Sequence, residues 1–221
     1  MKFRKNIPLL LSVMLMVTLV VGHSVQKGTE KPLRLTEPRI APLTESQWNE
    51  EQIESLTPLK REDGSVLNII ATIGRHPKLL DSFITFGLYV LQEQTLPDRD
   101  REILILRIGW LCQAKYEFGR HTIEGKRVGL TDEEILRITK GADEPEWSTF
   151  DAALVRVVDE LYNDAIISDA TWNVLSKRYN EKQLMDMIFT VGEYIMVSWA
   201  LNSLGVQLEK DVPGFPKGSI K

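Results

Sequence analysis

The chain of 221 residues is 43% hydrophobic and 26% charged, with a formal net charge of -4. Its length suits one domain, or two small halves sharing a core, and the composition excludes disorder over the main body. Mild acidity, with no Lys/Arg block after the first residues, argues against electrostatic capture of nucleic acid.

Lys2, Arg4 and Lys5 form a positive start, residues 7–21 run without a charge, and Gly22, His23 and Ser24 follow. This layout predicts a signal peptide over 1–24 and export to the periplasm or beyond. A membrane anchor left uncleaved is the alternative, although the run is shorter than the roughly 20 apolar residues of a span. Cys112 is the single cysteine, so no intrachain disulfide, Cys-x-x-Cys redox pair or cysteine-rich zinc site is available.

Residues 25–64 are broken by Pro32, Pro38, Pro42 and Pro58. They predict an extended lead-in with one short helix over 45–56, capped by Thr44 or Ser46. From Val66 the apolar spacing turns helical. Gly74 and Pro77 close a first segment, and 78–94 carries a second apolar face. Pro97 restarts the chain, and Asp98, Asp100 and Glu102 suit the positive end of the next helix. Residues 103–112 are almost continuously apolar, which predicts burial on most sides. Further helices are expected over 116–128, from a capping box at Thr131–Glu134, over 150–163, over 170–179 capped by Ser168, and over 181–204. The domain therefore spans 65–208, with an irregular tail over 209–221. Nothing alternates long enough for a strand, and no nucleotide-binding glycine loop, His-Glu-x-x-His or Gly-x-Ser-x-Gly occurs.

After the signal segment two histidines stand, His76 and His121. His76 precedes Pro77 and reads as a turn residue. Glu117 and His121 are four apart and share a helix face. The pair is either a surface contact worth a few tenths of a kcal/mol, or a carboxylate that orients an imidazole and raises its pKa. Glu102 is 19 residues before His121, about 28 Å along one straight helix. The two meet only if the chain bends, and Gln113-Ala114-Lys115 is the place where the apolar run is interrupted. Otherwise Glu102 sits at an exposed helix start. Cys112 reads as a small buried hydrophobe. Tyr194, Trp199 and Asn202 either face the pocket or pack the last helix, and packing is the preferred reading.

Several pieces together resemble the carboxymuconolactone decarboxylase family, which includes alkyl hydroperoxidase D. They are Arg101-Glu102-Ile103-Leu104, Tyr116-Glu117-Phe118-x-x-His121 and Gly129-Leu130, with Arg75-His76-Pro77 upstream and Gly192-x-Tyr194 and Asn202-x-x-Gly205 downstream. The resemblance covers roughly 39–208. It implies an all-α, alkyl hydroperoxidase D-like bundle of about six to eight helices, and a homo-oligomer, trimeric or hexameric. In the peroxidase branch a Cys-x-x-Cys pair precedes the histidine. Here Ala114 and Glu117 stand at those positions, so the thiolate that such peroxidase chemistry needs is missing.

The decarboxylase branch, which uses no cysteine, is the closer fit. It implies side-chain acid–base chemistry on a small carboxylated lactone or carbonyl compound, without cofactor or metal. His121 moves the proton, Glu102 or Glu117 orients it, Tyr116 donates to a substrate oxygen and Arg39 pairs with a substrate carboxylate. Two alternatives stand beside it: a peroxiredoxin-type peroxidase that reaches Cys112, and a non-catalytic oligomer whose His121 pocket is closed or wholly apolar.

Overall fold

The computed structural model describes residues 34–219; the expected signal segment lies outside the described residues. Among the described residues there are nine α-helices and no strand. The count exceeds six to eight because three short helices, α1 (Glu50–Leu56), α2 (Asn68–Ile73) and α8 (Asp169–Leu175), stand on their own.

The lead-in crosses the domain as a strap. Arg39 and Ile40 donate their backbone N–H groups to Leu204 O, and Leu43 donates to Ala71 O. The helix α1 starts at Asn49, not at Thr44 or Ser46: Asn49 accepts from Gln52 N, and Gln52 accepts from Asn49 N. Thr44 caps a 3-10 turn over Glu45–Gln47 instead. The signal for the true start is the Asn-x-x-Gln capping box. Helix α3 (Pro77–Leu88) begins on a proline, with His76 Nδ1 accepting from Leu79 N at 3.4 Å, and it runs on into a π-helical turn, Tyr89–Glu93.

Helix α4 (Asp98–Leu111) is the centre of the fold, with every residue from Asp100 to Trp110 buried. Around it pack α5 (Lys115–Arg127), α6 (Asp132–Lys140), α7 (Thr149–Asp164) and α9 (Glu181–Leu204). Burial on all sides agrees with the apolar run 103–112, but the helix also buries charge. Arg107 donates to Asp159 Oδ1 at 2.7 Å and to the Ile138 and Thr139 carbonyls, tying α4 to α6 and α7. Asp100 accepts from Tyr179 OH at 2.7 Å.

Helix α6 opens on the expected Thr131–Glu134 capping box, and Ser168 caps α8. Helix α9 ends at Gly205, at φ 72°, where a Cβ would also lie 2.8 Å from Glu37 O in the strap. Only glycine meets both demands. By length and composition α9 is apolar enough to cross a membrane, yet 56% of that stretch is buried in the fold, as in a core helix. Its outer face is apolar too: Met185, Phe189, Met196 and Trp199 are exposed and fall within one arc of the helix.

Candidate active site

The site is made by a sharp reversal between α4 and α5. Gln113 adopts φ 52°, and Ala114 N donates to Gly109 O at 2.8 Å, which turns the chain back on itself. A left-handed residue other than glycine is uncommon and marks the bend as built in. Gly109 lies against Glu117 and Phe118, so α5 returns along α4 and brings His121 to Glu102. The bend falls within the Gln113–Lys115 segment that interrupts the apolar run.

His121 is held on both ring nitrogens. Nδ1 is 2.7 Å from Glu102 Oε2, and Nε2 is 2.9 Å from Glu117 Oε1. An imidazole can donate to two carboxylates only when both nitrogens carry hydrogen. Burial works against that charge, but the carboxylates of Glu102 and Glu117 outweigh it and raise the His121 pKa to about 10. Burial likewise opposes ionisation of Glu102, which is fully buried. The His121 charge and the Arg101 guanidinium, 3.2 Å away, win and hold its pKa below the ordinary value. Arg101 is itself anchored by Asp98 at 2.7 Å. The surface-pair reading of Glu117 and His121 is thereby excluded: they are 4% and 8% exposed.

The array lies in the wall of a cavity of about 390 Å³. Phe83, Ile84 and Leu88 of α3, with Ile69 and Ile70 of α2, supply an apolar side. Helices α4, α5 and α9 supply the polar side. Arg120 lines it and makes no salt bridge among the described residues.

Two expected binding residues are corrected. Arg39 does not line the cavity. The strap carries it to the C-terminal end of α9, where it is exposed and its Nη1 reaches Ser203 O at 3.4 Å. Tyr116 does line the cavity, but its hydroxyl donates to Glu209 Oε1 at 2.6 Å, so that hydrogen is already committed. Glu209 also accepts from Asn68 N, so this bond pins the chain after α9 to α2 and α5. Cys112 is buried in the main apolar core and does not line the cavity, and Asn202 donates to its carbonyl at 2.9 Å.

Two cavity residues on α9 escaped the sequence reading. Tyr194 packs its ring edge-on to His121, with centroids 4.9 Å apart, instead of serving only as packing. Glu193 is 3% exposed and lines the cavity, and neither of its carboxylate oxygens has a hydrogen-bond partner among the described residues. Burial, aided by the nearby Glu117 charge, pushes its pKa up to about 7. The available signal was that Glu193 is the lone charge in the apolar run 187–204. Among the described residues, no group of three or more His, Cys, Asp or Glu is set to hold a metal ion.

This architecture is that of the alkyl hydroperoxidase D-like all-helical proteins. Residues 77–160, from α3 into α7, match the family described as the carboxymuconolactone decarboxylase family. Three solved structures share the fold. A variant of the debrominase Bmp8 in complex with 2,3,4-tribromopyrrole is 14% identical, with a TM-score of 0.65 over 79% of this chain and 94% of that one. An uncharacterized peroxidase-related protein from Silicibacter sp. TM1040 is 12% identical, with 0.67 over 80% and 97%. An alkylhydroperoxidase AhpD core protein from Ralstonia eutropha JMP134, also peroxidase-related, is 11% identical, with 0.67 over 78% and 94%. No curated protein sequence matches the chain.

The Glu193 geometry has a consequence for stability. Its carboxyl titrates higher in the folded chain than in the unfolded one, so folding favours the protonated form, and stability falls as pH rises from about 4.5 through 7. Glu193→Gln should therefore stabilise the protein by about 1–3 kcal/mol at pH 8.5 and by much less at pH 4.5. Denaturant melts at the two pH values read this directly, and an equal gain at both would contradict it.

Proposed function

We propose that the cavity carries out proton-transfer chemistry, decarboxylation or enolisation, on a small carboxylated lactone or carbonyl compound. The observation that carries this reading is an imidazole held by a carboxylate on each nitrogen in the wall of a cavity of small-molecule size. A non-catalytic scaffold has no need of that arrangement and predicts a closed or wholly apolar pocket.

The protonation state assigns the roles. With both N–H groups given to carboxylates, the imidazolium supplies a fixed positive charge beside the reacting centre. Proton exchange with the substrate then runs through Glu117, while Glu102 and Arg101 hold His121 in place. In a decarboxylation, the bond to the carboxyl carbon breaks, carbon dioxide leaves, and the electron pair moves into the conjugated carbonyl. The resulting dienolate oxygen is stabilised by the His121 charge. A proton then passes from His121 Nε2 by way of Glu117 to carbon, and a proton taken up from solvent restores the imidazolium. Arg120 takes the place of Arg39 as the guanidinium for a substrate carboxylate. The apolar side suits a ring, and a protein of the same fold binds the small ring of 2,3,4-tribromopyrrole. Peroxidase chemistry of the thiol type finds no thiolate beside His121, because Cys112 lies in the core.

A panel of lactone, keto and aromatic acids identifies the substrate class. A ligand at 100 times its dissociation constant stabilises the fold by about 2.7 kcal/mol. That stabilisation is expected in the wild type and absent in His121→Ala. On a turned-over compound, His121→Ala and Glu102→Gln should each lower the rate at least about a hundredfold. Near-normal rates in both variants would remove the assignment.

Export, expected from residues 1–24, and a trimeric or hexameric assembly belong to the same reading. The apolar outer face of α9 supports the second. Sedimentation of the wild type as an oligomer, with Trp199→Glu shifted toward the monomer, is the expected result; a monomeric wild type at micromolar concentration would reject it.

A further inference from the structure

Among the described residues, Glu193 is the one carboxylate on the cavity wall without a hydrogen-bond or ion-pair partner. Both of its oxygens are buried and without a hydrogen-bond donor, on a residue that is 3% exposed. Glu102 and Glu117, by contrast, are both occupied by His121. The hydroxyls of Thr190 and Ser198 on the same helix also lack partners, but they do not line the cavity. An ionised carboxylate held dry and unpaired is strongly disfavoured, so the group prefers to keep its proton. A protonated carboxyl has an O–H to donate, and an oxygen on a molecule in the cavity can accept it.

We propose that Glu193 is a ligand-binding acid of this pocket, whose carboxylic O–H donates to the carboxylate or carbonyl oxygen of a small molecule with an otherwise apolar body. The assignment rests on the acid–base reading of the same cavity and deepens it, since it defines the head group that the ligand must carry. A carboxylate head is accepted while Glu193 keeps its proton and is repelled once the proton is lost.

Arg101 and Glu102 on α4, Glu117, Arg120 and His121 on α5, and Tyr194 on α9 share the cavity, with the Glu124–Arg127 pair beyond them. Glu117 supplies the electrostatic push on Glu193, in addition to burial, and the carboxyl titrates near 7. His121 keeps its proton to about 10. Between pH 6 and 9 Glu193 therefore changes charge while His121 keeps its own.

The test is calorimetric binding of benzoate, phenylacetate and an unsaturated lactone acetate to the wild type, Glu193→Gln, Glu193→Ala and His121→Ala, at pH 6 and pH 9. Wild-type affinity should fall at least about tenfold between the two. Glu193→Gln keeps an N–H donor and has no proton to lose, so its affinity should be the same at both. Glu193→Ala should bind at least about tenfold more weakly at pH 6. A purely structural Glu193 would alter the melting temperature of the Gln variant but leave the wild-type pH slope in place. That slope in Glu193→Gln, or wild-type affinity in Glu193→Ala, overturns the assignment while leaving the acid–base reading standing, provided His121→Ala has lost binding. If no probe binds the wild type at either pH, both fall together.

Discussion

Helix α4 places Asp100, Arg101, Glu102 and Arg107 where almost no solvent reaches. A buried charge is tolerated only when a partner meets it. Three of the surrounding helices, α5, α6 and α7, are therefore bound by an obligation to α4. Arg107 requires the carboxylate of Asp159 on α7 and the last carbonyls of α6. Asp100 requires Tyr179, just beyond α8. Glu102 requires His121, and that demand fixes the register of α5 against α4. The core is apolar in bulk, but the positions of its helices are set by these few polar contacts.

The contact between Glu102 and His121 differs from the others because it opens on a cavity. Burial works against the imidazole's charge, and the Glu102 carboxylate opposes that effect. A second carboxylate, Glu117, carries the balance well past neutrality. The outcome is a cation at neutral pH beside an apolar chamber, flanked by two carboxylates. On the same wall Glu193 takes the opposite course, with no cation close enough to hold its charge. Carboxylates whose environments drive their pKa values apart are the usual basis of acid and base roles in one pocket.

Much of this was legible in the chain. The 3.6-residue spacing marked the helices, and the capping pair Thr131–Glu134 and the glycines at 129 and 205 marked their ends. The Glu117–His121 pair followed from helical spacing, and the need for a bend before Lys115 followed from the distance to Glu102. What local pattern did not carry was the path of the strap. Arg39 lies where it does because its backbone satisfies the terminal carbonyl of α9, a contact 165 residues away that no periodicity encodes. Tyr116 was placed at the cavity, but its hydroxyl was claimed by Glu209 from beyond α9. Glu193 was hidden by its neighbours, since a lone glutamate in an apolar helix looks like an interruption until the helix is seen to border a chamber.

The claim on which the rest depends is that His121 is an imidazolium clamped by two carboxylates. Nitrogen-15 NMR of the histidine side chains, followed from pH 6 to pH 11, reads this without any ligand. The account predicts two protonated ring nitrogens at pH 8, with deprotonation near 10, and a markedly lower pKa in Glu102→Gln. A His121 ring that is neutral at pH 8, titrating near the ordinary value of about 6.5, would contradict it.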